Sequence, residues 1–319
     1  MSIMKATPDK VFSCGRRKEY LDGSYELMLC TRPVFRVPGW EDHFERKPLP
    51  EHLDIQGKEV TKDLVEMGWV EPEAPQGPDP DNIKRAARRA VVRVRDLALS
   101  NHFDYFVTLT LDAERVDRYD IAGITRNLNS WLKNQVQRRG LRYIIIPELH
   151  KDGAYHFHGL INDCGGMTES GTWIIPGHKK PVKARSKKQA EEWARLGPDA
   201  GYKQVFNWDR WPLGFSTAIQ LSGDYHAVVG YVSKYITKQI RDSSGKIAGR
   251  WYFSGGDLRE PDITYPDISP RDTDTDGAGW FTFEVPEARA TFSIFRSEST
   301  KTDCSAAENP GQGGGEAGH

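Results

Sequence analysis

A chain of 319 residues, 38% of them hydrophobic, has enough apolar side chains to build one large globular domain or two ordinary ones. The formal net charge of -1 excludes a uniformly basic protein that binds nucleic acid over its whole surface. Because no apolar run approaches the length of a membrane span and the N-terminus lacks the apolar core of a signal peptide, we expect a cytoplasmic protein that does not enter a membrane.

Charge is nevertheless unevenly distributed along the chain. Basic residues cluster at 84–95, 138–142 and 178–188, whereas acidic residues dominate 41–81 and 257–287. A surface patterned in this way could bind a polyanion on one side, although any single run of charge is more often a solvated face. Both interpretations stay open for each cluster.

The first 80 residues are expected to form an irregular N-terminal arm with a strand or two, because proline and charged residues dominate them. The helical spacing of apolar residues then predicts a helix that begins at Asp81. Its polar surface carries four basic residues that are candidates for DNA binding: Lys84, Arg85, Arg88 and Arg89. The helix could lie along a phosphate backbone, although a basic helix packed on a sheet has the same sequence pattern.

The next segments predict a mixed α and β domain. Residues 105–111 mix aromatic and β-branched side chains and are predicted to form a strand at the centre of a sheet. An amphipathic helix is predicted over 121–139. A long polar segment over 164–214 is expected to hold strand fragments and a short helix around 187–196, and a further strand is predicted over 215–221.

Two stretches around a pair of histidines predict a β-hairpin. Residues 141–149 are rich in isoleucine and residues 154–161 are aromatic and apolar, so both suit strands that a short loop joins. Side chains alternate between the two faces of a strand. His156 and His158 therefore point to the same side and could share one metal ion.

The length of the hairpin loop decides which upstream residue lies beside the histidines. A three-residue loop, with Gly153 in the left-handed conformation, places Glu148 opposite His156. A two-residue turn pairs Glu148 with Phe157 instead. We favour the three-residue loop, which gives two imidazoles and one carboxylate with coordination positions left open, as in a catalytic metal site. The alternative is that both histidines are solvated side chains on an edge strand.

A second helix with candidate chemistry is predicted over 225–240, where valine and isoleucine form an apolar stripe. Beside the stripe lie two tyrosines and two lysines at positions i, i+3, i+4 and i+7: Tyr231, Lys234, Tyr235 and Lys238. Nearby cations stabilise a phenolate, and attack of a phenol on a phosphodiester gives a covalent tyrosyl ester. Each tyrosine could equally be a boundary residue of an ordinary helix.

Three motifs occur in order along the chain: the strand Phe106–Thr110, the sequence His156-Phe157-His158, and the sequence Tyr231-Val232-Ser233-Lys234-Tyr235. Over residues 83–255 the chain resembles the HUH endonuclease superfamily, and within it the two-tyrosine rolling-circle replication initiator (Rep) proteins of small single-stranded DNA phages and plasmids. The resemblance implies an α+β fold, ferredoxin-like or RRM-like, in which helices pack on a central antiparallel sheet with both motif strands in the middle.

The resemblance also implies roles for individual residues. The ligands of a divalent metal, Mg²⁺ or Mn²⁺, would be His156, His158 and Glu148. Tyr231 matches the nucleophile, and Tyr235 matches a second tyrosine that alternates with it between cleaving and resealing. Lys234 matches the lysine near the scissile phosphate. Lys238 is a further candidate for contact with DNA.

The implied reaction is the nicking of one strand at a replication origin that is presented as single-stranded DNA. Attack by Tyr231 leaves a 5′ phosphotyrosine and a free 3′ hydroxyl for a host DNA polymerase, and the energy kept in the ester permits rejoining. Because the chain has no phosphate-binding loop of the helicase type, a host helicase would be a second partner. We expect the protein to act in the cytoplasm of a bacterial host cell.

The expected domain organisation follows from the motifs and the composition. We assign 1–80 to the N-terminal arm, 81–256 to the nicking domain, 257–297 to a C-terminal extension and the polar, glycine-rich residues 298–319 to a disordered tail.

Other functions remain open. Two histidines and a glutamate are also a catalytic zinc set, so a zinc-dependent hydrolase is possible, but it leaves the tyrosines without a role. A non-catalytic single-strand binder leaves the metal residues without one. A relaxase or transposase of the same superfamily would share the chemistry and differ in biology.

Overall fold

The computed structural model describes residues 12–38, 80–150, 152–241 and 249–297. These residues form two compact units. The described parts of the first unit are 12–18, 26–38, 80–86 and 263–296. Those of the second unit are 19–25, 87–150, 152–241, 249–262 and 297.

The described ranges contain four α-helices and fifteen strands. The helices are α1 (Pro80–Leu99), α2 (Ile121–Arg139), α3 (Lys187–Leu196) and α4 (Tyr225–Arg241). The first seven strands are β1 (Phe12–Ser13), β2 (Gly15–Glu19), β3 (Tyr25–Cys30), β4 (Phe35–Arg36), β5 (Tyr105–Leu111), β6 (Tyr143–Leu149) and β7 (Tyr155–Ile161). The others are β8 (Met167–Ile174), β9 (Val182–Lys183), β10 (Lys203–Trp208), β11 (Gly214–Gln220), β12 (Phe253–Gly255), β13 (Asp262–Thr264), β14 (Trp280–Val285) and β15 (Ala290–Arg296).

The second unit is built on an eight-stranded sheet with the order β12-β6-β7-β5-β11-β10-β8-β9. Neighbouring strands in this sheet run antiparallel. Strands β7 and β5, which carry two of the sequence motifs, are the third and fourth of the eight. The predicted α+β fold with a central antiparallel sheet is therefore confirmed.

The first unit holds a five-stranded sheet with the order β13-β2-β3-β15-β14, and β1 pairs with β4. Strand β3 pairs with β15 so that Cys30 lies opposite Phe292. The N-terminal arm and the C-terminal extension, which the sequence analysis treated as separate, thus share one sheet, and the expectation of an irregular arm is wrong for residues 12–36. Predictions for residues 1–11, 39–79 and 298–319 lie outside the described residues.

One face of the eight-stranded sheet and helix α2 enclose the main core. Val107 and Leu109 of β5, Phe157 of β7, and Leu128 and Leu132 of α2 are all buried in it. Each such side chain contributes about 1.5–3 kcal/mol through its removal from water. Because strand side chains alternate, the intervening residues of β5 and β7 point to the opposite face, and α4 packs over β6 and β7.

Local signals fix both ends of α2. The side chain of Asp120 accepts a hydrogen bond from the Gly123 amide at 3.0 Å, which caps the first turn. Gly140 follows the last residue with φ 64°, a left-handed conformation that ends the helix. The predicted bounds of β5 and α2 are those observed, and α4 extends one residue beyond its prediction.

None of the helices in the described ranges combines the length and the apolarity needed to cross a membrane.

Phe157 tests the core. Replacing this fully buried ring in Phe157→Ala should lower the free energy of unfolding by about 3–5 kcal/mol, because the substitution removes apolar contacts and leaves a cavity. Urea unfolding followed by circular dichroism measures the loss. The matched control is Phe215→Ala, since the Phe215 side chain is 66% exposed on β11, and its cost should stay below about 1 kcal/mol. Equal losses for the two variants would contradict the assigned core.

Candidate active site

The hairpin of β6 and β7 sets the position of the histidines. Glu148 lies opposite His156, and Ile146 lies opposite His158. The Gly153 amide donates to the His150 carbonyl at 2.9 Å, and Gly153 has φ 84°. The connection is therefore the three-residue loop that the sequence analysis favoured, and the two-residue alternative is wrong.

Two threonines of β5 hold the two imidazoles. Thr108 Oγ1 lies 3.1 Å from Nδ1 of His158, and Thr110 Oγ1 lies 3.2 Å from Nδ1 of His156. These contacts follow from strand pairing, because Thr108 is registered with His158 and Thr110 with His156. With Nδ1 engaged in both rings, Nε2 is the nitrogen that remains for a ligand, and the ring orientation is fixed.

Glu148 stands between a histidine and a lysine. Its Oε2 lies 2.6 Å from His158 Nε2, and its Oε1 accepts a hydrogen bond from Lys238 Nζ. The hydrogen bond with His158 lowers the pKa of Glu148 to about 2 against the opposing effect of burial, and the Lys238 ammonium acts in the same direction. The residue is a carboxylate across the neutral range.

His156 is the more desolvated imidazole of the pair. Burial lowers the pKa of His156 to about 4, and the neighbouring His150 and His158 rings add to the decrease. The His150 ring stacks on it with ring centroids 4.0 Å apart. His156 is therefore neutral at neutral pH, the form in which an imidazole binds a metal ion.

Helix α4 brings both tyrosines over the histidine face. Its Val232 and Ile236 are fully buried, which turns the next strip of the helix toward β6 and β7. Tyr235 stacks on the His158 ring at 4.1 Å between centroids, and the hydroxyls of Tyr231 and Tyr235 lie 2.8 Å apart.

The two tyrosines differ in their surroundings. The Tyr231 side chain is 50% exposed. Tyr235 is half-buried, and this burial raises its pKa above the usual value, together with the hydrogen bond to Tyr231 and the charge of Glu148. Phe106 of β5 contacts both rings, at 5.6 Å from Tyr231 and 6.4 Å from Tyr235. The pair thus offers one accessible hydroxyl and one sheltered hydroxyl.

The structure gathers six of the eleven predicted site residues in one place: Glu148, His156, His158, Tyr231, Tyr235 and Lys238. Lys238, predicted to contact DNA, contacts the Glu148 carboxylate here. Lys234 is exposed on α4.

The other predicted DNA contacts lie on α1, where all four side chains are exposed. Arg88 and Arg89 belong to the second unit. Lys84 and Arg85 belong to the first, where Lys84 Nζ lies 3.4 Å from Asp81 Oδ1 and Arg85 bonds to the Asn82 side chain at 2.9 Å. Nothing in these contacts assigns a ligand to the four basic residues.

The donor set has the chemistry of a divalent metal site, although in the described ranges no three His, Cys, Asp or Glu side chains stand close enough together to enclose an ion. Two neutral Nε2 atoms and an ionised carboxylate share one face, and imidazole and carboxylate ligands suit divalent ions such as Mn²⁺. Both oxygens of Glu148 are bonded to protein groups. Ligation by Glu148 would therefore require it to exchange at least one of these partners.

Four neighbours of the site were not singled out from the sequence: Phe106, Thr108, Thr110 and His150. A signal for them existed. Positions 106, 108 and 110 alternate with the buried residues of β5, and position 150 continues the face of position 148, so the two-residue period places all four beside the histidines.

Similarity to known proteins covers this same part of the chain. Residues 104–240 match the family model of the replication-associated protein ORF2. The matched segment contains β5, the histidine hairpin and nearly all of α4, and it is less than half of the chain. The match supports a replication initiator role and, in general terms, a nuclease or nickase activity. No curated protein and no solved structure matches the chain.

The protonation of His156 provides a test of this geometry. In metal-free protein with EDTA, the His156 ring signal followed by NMR should titrate near pH 4, well below the ordinary value of 6.5. The unfolded chain takes up this proton first, so the contribution of His156 to stability should be full above about pH 6.5 and be lost as the pH falls toward 4.

His156→Gln identifies the signal and should remove that part of the pH dependence of unfolding. His150→Asn should move the midpoint upward only in part, because burial is the larger cause of the shift. A midpoint near 6.5 in the unsubstituted protein would contradict the buried placement of His156.

Proposed function

We propose that this protein initiates rolling-circle replication by nicking and rejoining single-stranded DNA through a 5′ phosphotyrosine. The observation that carries the proposal is the meeting of two tyrosine hydroxyls, 2.8 Å apart, beside two imidazoles whose Nδ1 atoms are held by threonines. The match of residues 104–240 to a replication-associated family supports the same role. A hydrolase would have no use for the paired tyrosines.

In the cleavage step, the hydroxyl oxygen of Tyr231 attacks the phosphorus of the scissile phosphodiester. A bond forms between this oxygen and phosphorus, and the bond from phosphorus to the 3′ oxygen breaks. The phenol loses its proton, and the 3′ oxygen gains one. The products are a tyrosyl 5′ phosphodiester and a 3′ hydroxyl, so the number of phosphodiester bonds is unchanged and rejoining needs no nucleotide triphosphate.

Tyr231 is the better candidate for the first attack because half of its side chain is open to solvent. Tyr235 is sheltered against His158, and its raised pKa keeps it protonated, so it donates a hydrogen bond while Tyr231 reacts. Once Tyr231 is esterified, Tyr235 is the free hydroxyl on the same helix face. It can then attack a second phosphodiester when a round of replication ends.

A divalent ion, Mg²⁺ or Mn²⁺, would be held by His156, His158 and Glu148. When bound, it supplies a positive charge that polarises a phosphate oxygen and stabilises the charge that develops during attack. Lys234 is exposed on the same helix as the tyrosines and is placed to contribute a second positive charge to the backbone of the DNA.

The partners follow from the chemistry. The substrate is an unpaired origin strand, because the tyrosine must reach phosphorus in line with the leaving 3′ oxygen. The released 3′ hydroxyl is a primer for a host DNA polymerase. Strand separation would be the task of a host helicase.

Formation of a covalent adduct tests the proposal directly. The protein is incubated with end-labelled single-stranded DNA from its own replicon, with Mn²⁺ or with EDTA, and the products are separated on a denaturing gel. We expect an adduct that requires the metal, that falls by at least about a hundredfold in Tyr231→Phe, and that persists in Tyr235→Phe. Adduct formation by Tyr231→Phe at the normal rate would reverse the assignment of the tyrosines. Phosphate-ester hydrolysis without an adduct, by both variants, would favour the hydrolase.

Lys238 provides a second test, because its ammonium and the ion would share the Glu148 carboxylate. Lys238→Met should therefore bind Mn²⁺ roughly tenfold more tightly in the absence of DNA, since a competing cation is removed. Electron paramagnetic resonance of free Mn²⁺ measures the affinity. The charge-matched control is Lys133→Met, on the helix across the sheet, which should bind Mn²⁺ as the unsubstituted protein does. Equal or weaker binding by Lys238→Met would show that Glu148 is not a ligand.

A further inference from the structure

The tip of the β2–β3 hairpin, residues 19–25, is grouped with the second unit although it is far from that unit in sequence. It also lies outside the segment 104–240 that matches a replication-associated family. We refer to residues 19–25 as the hairpin tip. Its contacts lead to the first turn of α4, the helix that carries both tyrosines.

The hairpin tip is a tightly organised turn. The Asp22 side chain accepts two hydrogen bonds at Oδ1, from the Ser24 amide at 2.9 Å and from the Ser24 hydroxyl at 2.6 Å. Gly23 between them has φ 77°, a conformation that glycine adopts without strain. These bonds use one carboxylate oxygen of Asp22 and leave Oδ2 directed away from the turn.

Asp22 Oδ2 lies 2.7 Å from Nε2 of His226, which is the second residue of α4. Both side chains are partly buried, with exposed fractions of 17% for Asp22 and 33% for His226. His226 precedes Tyr231 by five positions on the same helix. A contact made in a partly desolvated place restricts the helix more than a surface ion pair would.

The hairpin tip is itself fixed to α1. The Tyr20 hydroxyl donates to Asp96 Oδ1 at 2.9 Å, and the Leu21 amide donates to the Leu99 carbonyl at 3.2 Å. Tyr20 and Asp96 are both buried. The Asp22 carboxylate is therefore held by a rigid support and not by a free loop.

The start of α4 is anchored to the end of the same helix. The Tyr225 hydroxyl donates to the carbonyls of Ala98 at 2.9 Å and Asn101 at 3.2 Å. Tyr225 and His226 are adjacent, so they leave the helix in different directions and hold it at two points. Two such points resist rotation of the helix about its axis, the motion that would move the Tyr231 hydroxyl.

We infer that Asp22 and His226 are positioning residues that fix the first turn of α4 and thereby aim Tyr231 at the scissile phosphate. The inference rests on the proposed function for the part that concerns catalysis. Reaction rates of this kind depend steeply on the placement of the nucleophile, and displacements of about 1 Å cost up to about a hundredfold. The hairpin tip is therefore part of the nicking site in function, although it contributes no reacting atom.

Two variants test the contact. Asp22→Asn keeps an oxygen for the Ser24 bonds and removes the charge that faces His226, and His226→Gln removes the ring from the other side. Each should lower the maximal single-turnover rate of adduct formation by roughly tenfold while the half-saturating DNA concentration stays unchanged. The double variant should be no slower than the slower single variant, because both changes break one contact. Asp199→Asn, an exposed change of equal charge, should leave both quantities unaltered.

Hydrogen exchange gives a readout that does not need activity. In both single variants, amides 228–232 of α4 should exchange several-fold faster than in the unsubstituted protein, while the amides of α2 keep their rates. Unchanged exchange in α4, or equal acceleration in α2, would overturn the inference, as would a normal rate of adduct formation. If the unsubstituted protein forms no adduct with any origin strand, the proposed function fails, and the exchange rates still decide whether the contact fixes α4.

Discussion

The candidate site depends on the antiparallel register of three neighbouring strands, β6, β7 and β5. In this register Glu148 is opposite His156 on one side, and Thr110 is opposite His156 on the other. A slip of one residue would turn both histidines into the core and bring Phe157, now fully buried, to the surface. Burial of the apolar set thus holds the polar set in place, and the stability of the core and the geometry of the site have one cause.

Much of this arrangement could be read from the sequence because it follows from local periodicity. Alternation in β7 placed the two histidines together, and Gly153 identified the loop length that sets the partner of Glu148. The spacing of apolar residues placed Tyr231 and Tyr235 on one strip of α4. Each of these inferences uses residues that are close together in the chain, where two-residue and 3.6-residue periods are strong signals.

Contacts between distant segments could not be predicted in the same way. Nothing in the sequence shows that Lys238 meets Glu148, since a lysine on an exposed helix strip has many possible partners. The pairing of β3 with β15 joins residues 30 and 292, and short strands of mixed polarity carry no label for their partner. The same reason hid the contact of Asp22 with His226. Long-range pairing is decided by the packing of the whole fold, which a single sequence does not display.

The difference between the two tyrosines gives the proposed reaction a direction. A shared hydrogen bond between like groups can run either way, but the raised pKa of Tyr235 makes it the group that keeps its proton. Its hydroxyl therefore points at the Tyr231 oxygen and stabilises negative charge there, both when Tyr231 attacks and when it is released as the leaving group in rejoining. The stacking of Tyr235 on His158 holds this donor still, so the donor needs no rearrangement as charge develops. Burial of one tyrosine thus prepares the other, and two residues of the same type can take different parts in one reaction.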